Sequence, residues 1–169
     1  MPEYTLQPAR TADAVRIAAM SRDLIEAGLR PRWSAARVTW HIRHANSMVL
    51  VARRSDITAG FAIMSFGDDV AHLNLLAVDP AHRRRGVAAA LLAWLEETAL
   101  TAGTFVICLE VRAGNEPARA FYSAMAYREV GRVSGYYQGV ESAIRMERDV
   151  RTGRGAVPGN NGNRNINPA

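Results

Sequence analysis

Three places in this chain have the residue types and spacing to do chemistry: the run Val78-Asp79-Pro80-Ala81-His82-Arg83-Arg84-Arg85-Gly86-Val87-Ala88, the carboxylate Glu110, and the phenol Tyr122. The run reads as a strand that ends, a turn, and a helix whose first backbone N–H groups have no partner inside the helix. The helix dipole adds partial positive charge there, and three arginines stand on the approach. Gly86 and Ala88 keep side chains larger than a methyl away from that backbone. A diphosphate fits such a turn, although three arginines between a strand and a helix also describe a plain solvated turn.

Glu110 follows the apolar run Phe105 to Leu109. A carboxylate emerging from such a strand loses solvation, which raises its pKa toward the range of a general base near neutral pH. The competing reading is a structural ion pair with Arg112, two residues on and hence on the same strand face. Tyr122 has the hydroxyl to give a proton or a hydrogen bond to a departing thiolate; it equally suits packing beside Phe121 in a helix stripe. Asn115 reads as a helix cap and as a ligand contact. His72 and Asn74 make one face of the preceding strand polar, so His72 is the reserve candidate for a base or proton relay. Four histidines and one cysteine, none at metal-ligand spacing, predict no metal.

At 169 residues the chain is expected to fold as a single domain over residues 1–149. The sole cysteine, Cys108, lies in an apolar run and reads as a core residue in a reducing compartment. Neither a signal peptide nor an apolar stretch of membrane-spanning length stands out, so the expected location is cytoplasmic, without membrane partners. The net charge is +5, but Arg151, Arg154 and Arg164 follow the last carboxylate, which leaves +2 for the body, too little for a nucleic-acid partner. Residues 150–169, rich in Gly, Asn and Arg with few large apolar side chains, are expected to form a flexible tail.

The elements that position these groups follow from periodicity. Thr11 is expected to cap a helix through Val15, Ile17, Leu24 and Ile25 to Gly28; Ser34 caps a second, through Val38, Ile42 and Ala45 to Asn46. Strands Met48 to Arg53, Ile57 to Phe66 and Val70 to Val78 make an antiparallel meander. Val87, Leu91, Leu92, Leu95 and Ala99 mark one face of a helix ended by Gly103, and Thr104 to Val111 returns as a parallel strand, a right-handed βαβ crossover. Asn115 opens another helix, followed by strands Tyr127 to Val133 and Ala143 to Asp149. The expected fold class is α/β (α+β): a mixed, mostly antiparallel central sheet with helices on both faces.

Taken together, the pattern resembles the GNAT superfamily of acetyl-CoA-dependent N-acetyltransferases. Its signature, Arg or Gln, two residues, Gly, one residue, then Gly or Ala, is matched by Arg83 to Ala88 after Ala77-Val78-Asp79-Pro80. Leu109-Glu110-Val111-Arg112-Ala113-Gly114-Asn115, Ala120-Phe121-Tyr122 and Gly135-Tyr136-Tyr137 narrow the likeness to the RimI-like ribosomal-protein-alanine N-acetyltransferases. The likeness runs from about His72 to Arg148. It implies a GNAT fold with a bulged strand before the phosphate turn, and direct acetyl transfer from acetyl-CoA to a primary amine. In that reading Leu76, Ala77 and Val78 offer backbone groups to the acetyl and pantetheine portion. Arg83, Arg84, Arg85, Gly86, Val87, Ala88 and Ala89 form the cofactor turn, and Asn115 contacts the cofactor. Glu110 is the base and Tyr122 the acid. Where relatives have Gly-Phe after the tyrosine helix this chain has Ala126-Tyr127, so a left-handed helix end there would cost on the order of 1 kcal/mol.

Deprotonating an α-amine near pKa ~8 costs roughly 3 kcal/mol less at neutral pH than a lysine near ~10.4, which favours a protein N-terminus as acceptor. A small-molecule amine (polyamine, amino acid or aminoglycoside) and a non-catalytic acyl-CoA-binding module are the alternatives. The chain is expected to act as a monomer or homodimer.

Overall fold

The computed structural model describes residues 3–152, so most of the expected tail lies outside the described residues. The last of those described are held: Val150 is buried and its N–H donates to the Phe105 carbonyl at 2.8 Å. The strands run in the order β1-β2-β3-β4-β5-β7-β6, all neighbours antiparallel where their register is defined except β4 and β5. The chain divides into two compact units. Of the described residues, one unit comprises residues 3–66 together with Leu73–Glu97; the other comprises Gly67–His72 together with residues 98–152.

In the first unit, β1 (Thr5–Pro8) pairs with β2 (Ser47–Arg54), and β2 pairs with β3 (Ile57–Phe66). The β1 strand is too short and too weakly alternating to stand out in the sequence. The first predicted helix is broken into three parts: a 3-10 turn at Thr11–Asp13, α1 at Ala14–Met20, and a π-helical turn at Ser21–Ile25 closed by Glu26 N–H to the Ser21 carbonyl. The cap position is Arg10 rather than Thr11, with Asp13 reaching back to accept from Arg10 N–H at 2.8 Å, and the other Asp13 oxygen pairs with Arg53. That later start and the widened last turn set the buried face to Ala14, Ile17, Met20 and Ser21, so Val15, expected inside, is 72% exposed. Helix α2 (Ala35–Arg43) is capped by Ser34 as expected, its hydroxyl accepting from Arg37 N–H. Ile17, Met20, Val38, Val49, Val51, Phe61 and Ile63 form the core of this unit with Leu75 and Ala77.

β4 (Val70–Val78) alternates, with Ala71, Leu73 and Leu75 buried and His72, Asn74 and Leu76 half-buried on the other face. It leads into α3 (Val87–Ala102), whose Val87, Leu91, Leu92, Leu95 and Ala99 are buried. Gly60 of β3 makes room for both: a Cβ there would lie 3.0 Å from the Ala77 carbonyl and 3.2 Å from Val87 Cγ1. No helix among the described residues is long and apolar enough to cross a membrane.

In the second unit, β5 (Val106–Arg112) runs parallel to the start of β4, Val70–His72 facing Val106–Cys108. Ile107, Leu109 and Val111 point into the core with Ile144 and Met146, while Cys108 and Glu110 share the opposite face. Cys108 is therefore half-buried rather than a core residue. Helix α4 (Glu116–Ala124) opens on Asn115, whose side chain accepts from Ala118 N–H, and β6 (Arg128–Tyr137) and β7 (Glu141–Asp149) complete the sheet.

Candidate functional site

The turn before α3 is made by backbone. Asp79 accepts from Ala81 N–H and from the Arg16 guanidinium at 3.0 Å, which starts the short 3-10 turn Pro80–His82. Arg84 at φ +63° and Gly86 at φ +78° then bend the chain, and left-handed residues of this kind are found where backbone N–H groups form an anion-binding nest. The first hydrogen bond of α3 is Ala90 N–H to the Gly86 carbonyl, so the N–H groups of Val87, Ala88 and Ala89 precede the helical ladder. Nothing lies within 4 Å of where a Gly86 Cβ would stand. The turn thus has an open approach, backbone donors and the positive end of a sixteen-residue helix, features that suit an anionic group.

The three arginines divide the labour unevenly. Arg83 Nε donates to the Val78 carbonyl at 3.1 Å and ties the turn to the end of β4. Arg85 is turned toward Glu3 at 3.4 Å, beside a cavity of about 520 Å³ lined by Tyr4, Leu6, Gly86 and Val87. Arg84 is exposed and forms no ion pair among the described residues. The hydroxyl of Tyr4 lies 2.9 Å from His82 Nδ1, a brace for the turn that joins residues 78 positions apart and so has no local sequence signal. Leu76 is half-buried and Ala77 and Val78 are buried at the strand end.

The second unit gathers four side chains. Glu110 Oε1 lies 2.6 Å from His72 Nε2, and its Oε2 accepts from Arg145 Nε at 2.9 Å. The Tyr136 hydroxyl donates to Oε1 at 3.3 Å. The pleat explains the convergence: His72 is registered with Cys108, two residues from Glu110 on the same face, and Arg145 is directly opposite Glu110 on β7. The Glu110 side chain is only 8% exposed, whereas His72 and Arg145 keep 36% and 44%.

This cluster corrects the expected titration of Glu110. Burial does push its pKa up, but the hydrogen bonds and charge from His72 and Arg145 outweigh burial and hold it at about 2. Nor is the ion-pair partner Arg112, whose guanidinium lies 3.6 Å from Glu141 and over the Tyr137 ring. Arg145 and Tyr136 were missed as neighbours of Glu110, since only the β5–β7 register brings position 145 to position 110.

Tyr122 lies in α4 with 8% exposure, edge-on to Phe121 and Tyr127. Burial, with the nearby Tyr137 phenol, pushes its pKa far above the ordinary value, so it stays a neutral O–H. Ala126 ends α4 at φ +73°, the left-handed position expected from its place after the helix. Asn115 acts as the α4 cap, with its side chain exposed. Among the described residues no cluster of His, Cys, Asp and Glu has the arrangement to hold a metal ion.

Comparison with known proteins gives this geometry a context. The profile of the acetyltransferase (GNAT) family matches residues 17–127. The [ribosomal protein bS18]-alanine N-acetyltransferase of Salmonella typhimurium is 40% identical over 94 residues, 54% of this chain and 64% of that protein. Its Escherichia coli counterpart is 38% identical over 91 residues, 52% and 62% of the two chains. The matched stretch thus spans less than two thirds of these curated relatives. The crystal structure of the Escherichia coli ribosomal-protein-S18-alanine N-acetyltransferase superposes with a TM-score of 0.75 at 26% identity, covering 97% of this chain and 99% of that one. Arabidopsis thaliana NAA60, crystallised in complex with acetyl-CoA, shares the fold with a TM-score of 0.77 at 19% identity over 88% and 99%.

Proposed function

Because the chain belongs to the acetyltransferase (GNAT) family, we propose that it is an enzyme that moves an acetyl group from acetyl-CoA directly to a primary amine, the N-terminal α-amine of a protein. The observation that carries the reading is the Arg83–Ala89 turn: consecutive backbone donors, left-handed at Arg84 and Gly86, at the open end of α3. That turn would hold the donor's diphosphate, and Arg84 supplies an exposed cation beside it. Leu76, Ala77 and Val78 would offer backbone groups to the acetyl and pantetheine portion, and Asn115, beyond its capping bond, would contact the cofactor.

The carboxylate cluster handles the proton. A carboxylate held near 2 is a poor final acceptor for a proton from an ammonium near ~8, but a strong partner for an imidazole that takes one up. In this reading Glu110 and His72 act as one base, Glu110 orienting the ring and balancing its charge. The neutral amine attacks the thioester carbon, the C–N bond forms, the C–S bond breaks with its electron pair on sulfur, and the second proton shed by the attacking nitrogen passes to solvent. Tyr122, neutral throughout, steadies that thiolate by donating a hydrogen bond, and the thiolate's proton is drawn from solvent. Cys108, its thiol pushed up by burial and by the Glu110 charge, is no acyl carrier.

The α-amine preference rests on the lower cost of deprotonation and on the acceptors named for the curated relatives. A thiol-release assay with acetyl-CoA against N-terminal peptides, lysine peptides and small amines tests it. Turnover confined to N-terminal peptides is expected. Turnover confined to a polyamine, amino acid or aminoglycoside would overturn the acceptor, and cofactor binding without release over the whole panel would overturn the enzyme.

A further inference from the structure

We infer that the solvent face of α2 is a docking surface for an acidic peptide segment that carries a large apolar side chain. Between Glu26 and Asp56 the sequence has no carboxylate; of its six arginines Arg53 and Arg54 lie on β2 and pair with Asp13 and Glu3, which leaves Arg37 and Arg43 as the cations of α2 itself. Helix α2 lies within this stretch. Its inner face buries Val38 and His41, and its outer face presents Ala36, Thr39, Trp40 and Arg43, with His44 just beyond the helix end. These five residues line a concavity of about 330 Å³.

Trp40 is 54% exposed, a large apolar surface left open on a charged face. Its indole is fixed, stacked on His44 at 4.2 Å and edge-on to His41 at 4.8 Å. A side chain that enters beside it meets a preformed wall, which lowers the ordering cost of binding. Arg37, one turn earlier, is held over the Trp33 ring at 3.9 Å and donates to the Arg32 carbonyl. Among the described residues neither Arg37 nor Arg43 pairs with a carboxylate.

The charge complement is therefore acidic, and guanidinium forks match carboxylates two bonds at a time. A single-stranded nucleic acid would also bring negative charge, but it gains its grip by stacking bases on free aromatic faces. The rings of His44 and His41 already lie against Trp40, so the peptide is the better fit.

The test uses the full chain and fluorescence anisotropy of a labelled peptide of alternating Glu and Leu, with a Lys-for-Glu peptide and a single-stranded oligonucleotide as comparisons. The Glu peptide should bind, weaken as salt rises, and outcompete both others. Arg37→Glu with Arg43→Glu should weaken it by more than about tenfold, and Trp40→Ala by about tenfold, at unchanged melting temperature and unchanged acetyl-CoA binding. Equal binding of the Lys peptide, tighter binding of the oligonucleotide, or variants that bind like the wild type would each overturn the proposal. If those variants unfold, Trp40→Gln and Arg43→Gln, which leave the buried face intact, decide it: weaker binding at an unchanged melting temperature supports the proposal, and binding like the wild type overturns it.

Discussion

The turn before α3 and the cluster around Glu110 are built in opposite ways. The first is eleven consecutive residues that offer backbone N–H groups, with side chains that mainly stay clear or brace the bend. The second is four side chains from four strands, His72, Glu110, Tyr136 and Arg145, whose meeting depends on register. A site made of local backbone tolerates change in its side chains but not in its φ angles. A site made of distant side chains depends on each partner and on their mutual charge.

The sharpest break falls on the side-chain site. If Glu110 and His72 act as one base, Glu110→Gln should lower kcat by about 10²–10³-fold, and His72→Gln by a similar factor. The double variant should lose little more than either alone, because removing one member already disables the unit. Rates measured at saturating acetyl-CoA and acceptor decide it. Losses that multiply in the double variant would show that the two residues act separately.

The backbone site should fail in a different constant. Gly86→Val places a β-branched side chain at φ +78°, a conformation it adopts only with strain, and so moves the turn's backbone. The KM for acetyl-CoA should rise by about 100-fold while the acceptor KM stays within about twofold, with melting followed to confirm a folded chain. Arg83→Ala and Arg85→Ala are milder controls, since their guanidinium groups brace Val78 and Glu3. If Gly86→Val left donor KM unchanged, the turn would not be holding the donor.

Acid separates the two sites as well. Glu110 is held at about 2 when folded against 4.5 ordinarily, so the unfolded chain takes up its proton first as pH falls. The stabilisation is complete above about pH 4.5 and is lost as pH descends toward about 2. With solvent screening around the exposed Arg145 it is worth about 2 kcal/mol. Urea unfolding at several pH values should show wild type and Glu110→Gln separated at pH 6 and converging near pH 2. A gap that stays constant over that range would remove the ion-pair cluster as its source.

The same difference decides what the residues alone could tell. The ends of β3 and β4 and the buried face of α3 were legible because apolar alternation and helical spacing are local signals. So was the turn at Gly86, which needs only its own neighbours. The pKa of Glu110 was not, because burial is visible from an apolar run whereas Arg145 is visible only through the β5–β7 register. Val15 misled for a related reason: a helix that begins late and widens at Ser21–Ile25 changes phase, and no single period describes it. Strand β1 carried too few residues for a pattern.

The smallest effect brings the two regions onto common ground. Both use a left-handed residue to shape an approach, Gly86 before α3 and Ala126 after α4, but only the first has the residue that adopts it freely. Ala126 is exposed, and the bend is closed by Tyr127 N–H to the Tyr122 carbonyl at 2.9 Å and Ala126 N–H to the Ser123 carbonyl at 3.0 Å. Removing its Cβ relieves a strain of about 1 kcal/mol, partly offset by the greater freedom of glycine in the unfolded chain. Ala126→Gly should therefore stabilise the fold by about 0.5 kcal/mol, read as a raised urea midpoint at unchanged slope. Because the same bend fixes the end of the helix that carries Tyr122, kcat should stay within about twofold. A stabilised variant with a clearly lower kcat would mean that the strained alanine sets the position of the phenol.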